Sequence, residues 1–304
     1  MNRKAKFEAL DRLDAMLQET YADGIGINDP AKDALPRRAE VIAVTEKLLE
    51  VIFPGFDRSG TYPCTRVLLG DILRELSGQI AGAMHRLQGD DCLNCQDDCV
   101  AKCDELAMAL LNKLPAIREV MKLDVEAAFN GDPAAKNYDE IILSYPGLKA
   151  IAIQRLAHEL YEAKVPLIPR MMTEFAHSET GIDIHPGARI GKGVFIDHGT
   201  GVVVGETAVI GDNVRIYQGV TLGAVNFPKN ACGVLIKGLR RHPTIGSNVT
   251  IYSGASVLGD VVIGDNSVIG GNVWLTESLP AGTKITALPP ENRKKFSPDI
   301  QGAK

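Results

Sequence analysis

The chain has 304 residues, 45% of them hydrophobic, and a formal net charge of -5, a balance that suits a soluble protein of about two domains. No apolar run approaches the ~18 residues needed to cross a bilayer, and mild acidity without basic-aromatic interleaving argues against nucleic acid as a partner. The opening stretch Met1-Asn2-Arg3-Lys4-Ala5-Lys6-Phe7-Glu8 leads into an amphipathic segment with no signal-peptide core, so the expected location is cytoplasmic, with reduced cysteines.

The first domain, residues 1–178, reads as an α-helical cap and oligomerisation module. Helical periodicity is expected over 3–20, 37–53, 66–88, 97–113, 116–129, 137–144, 147–164 and 166–177, with breaks at Pro54-Gly55, Gly131-Asp132-Pro133 and Pro146-Gly147. Within it, Cys92, Cys95, Cys99 and Cys103 fall on one helical stripe. Such a stripe reads either as a four-thiolate metal or iron–sulfur site or as small core residues. Structural zinc sites usually use two pairs of ligands separated by a longer loop, so no metal is assigned.

From Ile184 the pattern changes. Ile184, Ile190, Ile196, Val204, Ile210, Ile216, Leu222, Ile245, Ile251, Val257, Ile263, Ile269 and Leu275 recur every sixth residue apart from two interruptions, with small or β-branched residues four places after each rung. This period fits neither an α-helix nor an alternating strand. It predicts a left-handed parallel β-helix of hexapeptide repeats over 179–279, in which each rung points inward and neighbouring coils satisfy one another's backbone. The overall class is therefore α+β, with a charged tail at 280–304. Sharp corners are expected to favour positive φ at Gly187, Gly191, Gly205, Gly211, Gly246, Gly259, Gly264 and Gly270, and at Asn213, Asn248, Asn266 and Asn272.

The interruptions point to function. Ile196 and Val204 are eight apart, so two extra residues bulge out around Asp197-His198-Gly199-Thr200-Gly201. Between Leu222 and Ile245 the chain leaves the coil at 223–244, in an excursion that carries Lys229, Lys237, Arg240, Arg241 and His242 but no acid. Insertions into a repeat scaffold generally fall on a functional face, and this one-sided charge is expected to meet an anion. His198 sits where the repeat was given up, next to Asp197. Histidine accepts a proton near neutral pH, and Asp183, about one coil earlier, is the expected orienting acceptor.

Gly181-Ile-Asp-Ile-His-Pro-Gly187, Asp197-His-Gly-Thr-Gly-Val-Val-Val-Gly-Glu-Thr207, Gln218-Gly-Val-Thr-Leu-Gly223 and Arg241-His-Pro243 together resemble the serine O-acetyltransferases, and the likeness runs from about Asp132 through Leu275. The resemblance implies transfer of acetyl from acetyl-CoA to the L-serine hydroxyl, the first step of cysteine biosynthesis, with no metal required. It implies His198 as base and Asp183 as its dyad partner. Asp197 would hold the substrate ammonium, Arg241 the carboxylate, His242 a neighbouring place, and Asp132 would be an acidic contact from the helical domain. Ala224 would offer its N–H to the oxyanion and, with Ser253 and Gly254, line the acetyl-CoA arm. The family also implies a homotrimer or dimer of trimers, feedback inhibition by L-cysteine, and a tail that docks O-acetylserine sulfhydrylase. This chain ends Asp-Ile-Gln-Gly-Ala-Lys304 with Ile300 internal. Rival readings are a β-helix acetyltransferase for another hydroxyl such as homoserine, a carbonic anhydrase using His185, His198 and His242, and a non-catalytic scaffold.

Overall fold

The computed structural model describes residues 3–21, 35–56, 64–88, 96–226 and 228–288, without the side chains of 86–88 and 96–99. Seven helices come first: α1 (Arg3–Tyr21), α2 (Arg38–Ile52), α3 (Thr65–Gln88), α4 (Gln96–Gly131), α5 (Tyr138–Ser144), α6 (Pro146–Glu162) and α7 (Ile168–Thr180). None is long and apolar enough to cross a membrane among the described residues. Where the sequence predicts a break between 113 and 116, α4 runs straight through Pro115. Proline removes one helical hydrogen bond, but Ala107, Leu110, Leu114, Ile117, Met121, Val125 and Ala128 keep one buried stripe at three- and four-residue spacing across it. Packing of that stripe outweighs the local defect. Cys103 is buried in the same stripe, whereas Cys92, Cys95 and the side chain of Cys99 lie outside the described residues.

The switch from helix to coil occurs at Gly181, which caps α7 with φ 71°. Fourteen strands follow: β1 (Asp183–Ile184), β2 (Arg189–Ile190), β3 (Phe195–Asp197), β4 (Val203–Val204), β5 (Val209–Ile210), β6 (Arg215–Tyr217), β7 (Thr221–Gly223), β8 (Thr244–Ile245), β9 (Thr250–Ile251), β10 (Ser256–Leu258), β11 (Val262–Ile263), β12 (Val268–Ile269), β13 (Trp274–Leu275) and β14 (Lys284–Ile285). They form three parallel faces of a left-handed β-helix: β1-β4-β7-β10-β13, β2-β5-β8-β11 and β3-β6-β9-β12-β14. Each strand pairs with its counterpart three strands later in the lower coils, as Ile184 with Val204 and Val204 with Leu222. The rungs stack into a dry column: all but the partly buried Ile190 are at most 3% exposed. The coil also outlasts the sequence repeat, because β14 pairs with β12 beyond the last rung.

Two expectations about the corners are corrected. Asn213, Asn248, Asn266 and Asn272 do take φ of 55–58°, but of the eight glycines expected there only Gly259 has positive φ. The others serve close approach instead: a Cβ on Gly211 would lie 2.7 Å from the backbone carbon of Gly246 on the next coil. In the bulge, Thr200 is exposed and Val202 takes the inward place, since the second beat is set by the following rung rather than the preceding one.

The helical part is fastened to the first coil by side chains that satisfy its free backbone. Arg155 on α6 donates to both carboxylate oxygens of Asp124 on α4, at 3.0 and 3.1 Å, and to the carbonyls of Ile190 and Gly191 at 3.0 and 2.5 Å. Asp124 also accepts from the Val194 N–H at 2.9 Å. Gly147 at the start of α6 abuts the Ile196 carbonyl so closely that no Cβ would fit. This seam fixes the C-terminal end of α4 over β3, the strand that ends in Asp197.

Candidate active site

At the corner after β3 the chain enters the left-handed region at His198 (φ 57°), Gly199 (φ 82°) and Gly201 (φ 80°). Only glycine takes such φ without cost, so the non-glycine at 198 marks a constrained turn. That turn throws the imidazole outward: the His198 side chain is 70% exposed, that of Asp197 14%, and Nδ1 lies 3.6 Å from Asp197 Oδ1. The helical part supplies Asp132, just past α4. Its Oδ1 accepts from the Ala134 N–H at 2.8 Å and its Oδ2 from the Tyr145 hydroxyl at 2.5 Å. The Tyr145 bond chiefly, then the Ala134 N–H, holds the Asp132 carboxyl below its ordinary range, and the nearby His198 adds to the effect. Burial and then Asp132 push the Tyr145 hydroxyl up, with Asp197 contributing, so Tyr145 stays protonated and donates. Asp132, Tyr145, Asp197 and His198 thus share one electrostatic neighbourhood with two carboxylates and an imidazole, chemistry suited to an ammonium and a hydroxyl.

A second cluster lies just before β8, where the excursion rejoins the coil. Arg241 Nη2 donates to Glu206 Oε2 at 2.6 Å, and Tyr161 donates to Glu206 Oε1 at 2.9 Å. Burial opposes the Glu206 charge, but the bonds from Arg241 and Tyr161 outweigh it and hold the carboxyl below its usual value. Thr207 Oγ1 accepts from the N–H groups of Arg241 and His242 at 3.0 and 3.2 Å. With both of those donors spent on it, its own proton goes to His242 Nδ1, 2.9 Å away. The Thr207 N–H points to the same nitrogen at 3.1 Å. Nδ1 is therefore an acceptor and the ring proton sits on Nε2. Burial, then the Arg241 charge, lowers the His242 pKa to about 4, so the ring is neutral and offers Nε2–H at neutral pH. Its Cδ2 and Nε2 atoms abut Gly205, where a Cβ would clash with either.

The expected cationic excursion is partly neutralised within the chain: Arg240 pairs with Asp260 at 2.6 Å and Arg241 with Glu206. Asp183, on β1, has Arg170 of α7 as its ion partner at 3.8 Å. Among the described residues it makes no ion pair with His198, whose acidic neighbour in the chain is Asp197. Ala224 directly follows β7, and Ser253 with Gly254 (φ 70°) forms the turn before β10. Sequence reasoning gave no role to Tyr145, Tyr161, Glu206 or Thr207. Glu206 and Thr207 lie inside a quoted motif, but nothing local says that they hold Arg241 and His242, about 35 residues on.

The two clusters occupy different corners of the triangle. His198 lies between the third and first faces, whereas Glu206, Thr207, Arg241 and His242 lie where the chain passes onto the second.

Comparison with known proteins places this arrangement. Residues 242–277 match the bacterial transferase hexapeptide (six repeats) family. The chain is 58% identical over 182 residues to a plasmid serine acetyltransferase of Synechococcus elongatus, covering 60% of this chain and 57% of that protein, so less than two thirds of that relative is spanned. It is 45% identical over 163 residues to the Helicobacter pylori serine acetyltransferase, covering 54% of this chain and 90% of the relative. The Entamoeba histolytica serine acetyltransferase isoform 3, solved in complex with cysteine, superposes with a TM-score of 0.70 at 35% identity, covering 93% of both chains. With sequence identity carried across nearly the whole of one relative and the same helix-then-coil fold across a solved one, this chain belongs to the serine acetyltransferase family.

Proposed function

We propose that the protein transfers acetyl from acetyl-CoA to the hydroxyl of L-serine, giving O-acetyl-L-serine and CoA, the first step of cysteine biosynthesis. The observation that carries this reading is the pair of complementary half-sites. Serine presents an ammonium, a carboxylate and a hydroxyl. Asp132 and Asp197 suit the first, Arg241 with His242 Nε2–H the second, and His198 the third.

Because the halves lie on separate corners of one chain, a complete site forms where the His198 corner of one subunit meets the Arg241 corner of the next, in a homotrimer or a dimer of trimers. His198 removes the hydroxyl proton as the serine oxygen attacks the thioester carbonyl. Asp183 orients the ring once its hold on Arg170 is exchanged for the imidazole. The Ala224 N–H stabilises the tetrahedral oxyanion. Collapse expels the CoA thiolate, which takes the proton back from His198. Ser253 and Gly254 line the acetyl-CoA arm.

L-Cysteine carries the same ammonium and carboxylate as serine, so it competes for the same grips and acts as a feedback inhibitor. The cysteine complex of the Entamoeba relative supports this. Docking to O-acetylserine sulfhydrylase concerns Ile300, outside the described residues.

The test is thiol release from acetyl-CoA without acceptor and with L-serine, L-homoserine or a sugar. Release that depends on L-serine is expected, and release with homoserine alone overturns the assignment.

A further inference from the structure

Among the described residues, one buried side-chain polar atom has no hydrogen-bond partner: the carboxamide oxygen Oε1 of Gln218. An acceptor buried without a donor is costly, and in a native fold it marks a place that something else completes. Its position narrows what that is. Asp197 and Tyr217 are paired across β3 and β6, so Gln218 follows Tyr217 as His198 follows Asp197. The two residues occupy the same corner on adjacent coils, about 4.8 Å apart along the axis.

That corner carries no side chain of its own at two successive levels: Gly219 (φ 72°) and Gly254 (φ 70°) stack on adjacent coils, both in the left-handed region that favours glycine. The Gly254 N–H donates to the Gln218 carbonyl at 2.9 Å, which fixes the backbone from which the carboxamide projects. On the adjoining face the rings of Tyr217 and Tyr252 stack with centroids 5.2 Å apart and planes at 8°, and Tyr252 is 44% exposed. Gln218 therefore sits between a glycine corner and the aromatic wall of Tyr217 and Tyr252, one coil from His198 and one coil from the Ser253–Gly254 turn.

We propose that Gln218 binds the acetyl donor, its Oε1 accepting the first amide N–H of the arm that carries the thioester. This rests on acetyl-CoA being the donor. The sulfur must come to His198, and beyond it the arm runs through two methylenes to an amide N–H. That span is comparable with one coil step, and the methylenes pass along the aromatic wall. Serine is the poorer match for Gln218. Its ammonium is met by Asp132 and Asp197, its hydroxyl proton goes to His198, and its carboxylate repels a carbonyl oxygen.

The experiment uses the full chain and Gln218→Leu, with Gln218→Met as a variant that keeps side-chain length. The KM for acetyl-CoA is expected to rise roughly three- to tenfold, the loss of one neutral hydrogen bond, while the KM for L-serine and the molecular mass in solution stay unchanged. Two small donors then isolate the N–H: S-acetyl-N-acetylcysteamine and its analogue with an ester oxygen in place of the amide N–H. Wild type should favour the amide donor, and both variants should lose that preference. An unchanged acetyl-CoA KM, or an amide preference that survives in the variants, overturns the proposal. So does a change in oligomer mass with the preference intact, which would assign the oxygen to a subunit contact. Failure of the parent reading is distinct: wild type would then release no thiol from acetyl-CoA in response to L-serine.

Discussion

Thr207 gives its hydroxyl proton to His242 Nδ1 across 2.9 Å while accepting the N–H groups of Arg241 and His242. One side chain thereby fixes the tautomer of the imidazole and the backbone of Arg241, the residue proposed to grip the carboxylate. Thr207→Val should leave those two N–H groups unpaired and lower kcat/KM for serine by roughly 10- to 100-fold, by the usual worth of such bonds. Thr207→Ser should restore most of the activity. Steady-state kinetics on both variants checks this, and equal damage from Val and Ser would mean that the methyl group matters and the hydroxyl does not.

Glu206 is the counterion of Arg241 and the acceptor of Tyr161. Glu206→Gln keeps the shape but weakens the hold on the guanidinium. The KM for serine should rise about tenfold or more, in line with the loss of a charge-assisted bond, with a much smaller change for acetyl-CoA. A matched rise in both constants would remove Glu206 from the carboxylate grip.

The His242 pKa of about 4 lies below the ordinary value of about 6.5, so between those limits the unfolded chain binds a proton that the folded chain refuses. Its contribution to stability is full above about pH 6.5 and falls as the pH drops toward 4. Denaturant unfolding across this window should show that slope in wild type and a shallower one in His242→Asn. Parallel slopes for the two proteins contradict the buried neutral ring.

At the seam between helices and coil, the Asp124 side chain is fully buried and that of Arg155 is 10% exposed. Asp124→Asn leaves a buried guanidinium without its charge partner and should cost about 3–5 kcal/mol of stability. Thermal or denaturant melting reads this directly. A loss within error of zero would mean that the seam does not hold the two parts together.

Much of this molecule could be read from its sequence, because the coil repeats a local rule. Apart from two interruptions, the inward rungs from Ile184 to Leu275 keep one six-residue spacing, so the faces were expected, and so was the corner at His198 where the spacing fails. Contacts that join distant segments left no such mark. Tyr145 meets Asp132 across the loop and helix between them, and Arg170 reaches Asp183 from α7. Glu206 and Thr207 look like any polar corner until Arg241 and His242 return to them. The gap expected between helices 97–113 and 116–129 failed for the opposite reason: the buried stripe of α4 carries the helix through Pro115.

The most direct measurement is L-serine-dependent thiol release from acetyl-CoA by wild type and by His198→Ala, at matched oligomer mass and secondary structure. The account predicts serine-dependent turnover in wild type and a fall of roughly 10²- to 10⁴-fold in the variant, as expected for loss of a general base. Near-normal serine-dependent turnover by His198→Ala would contradict it.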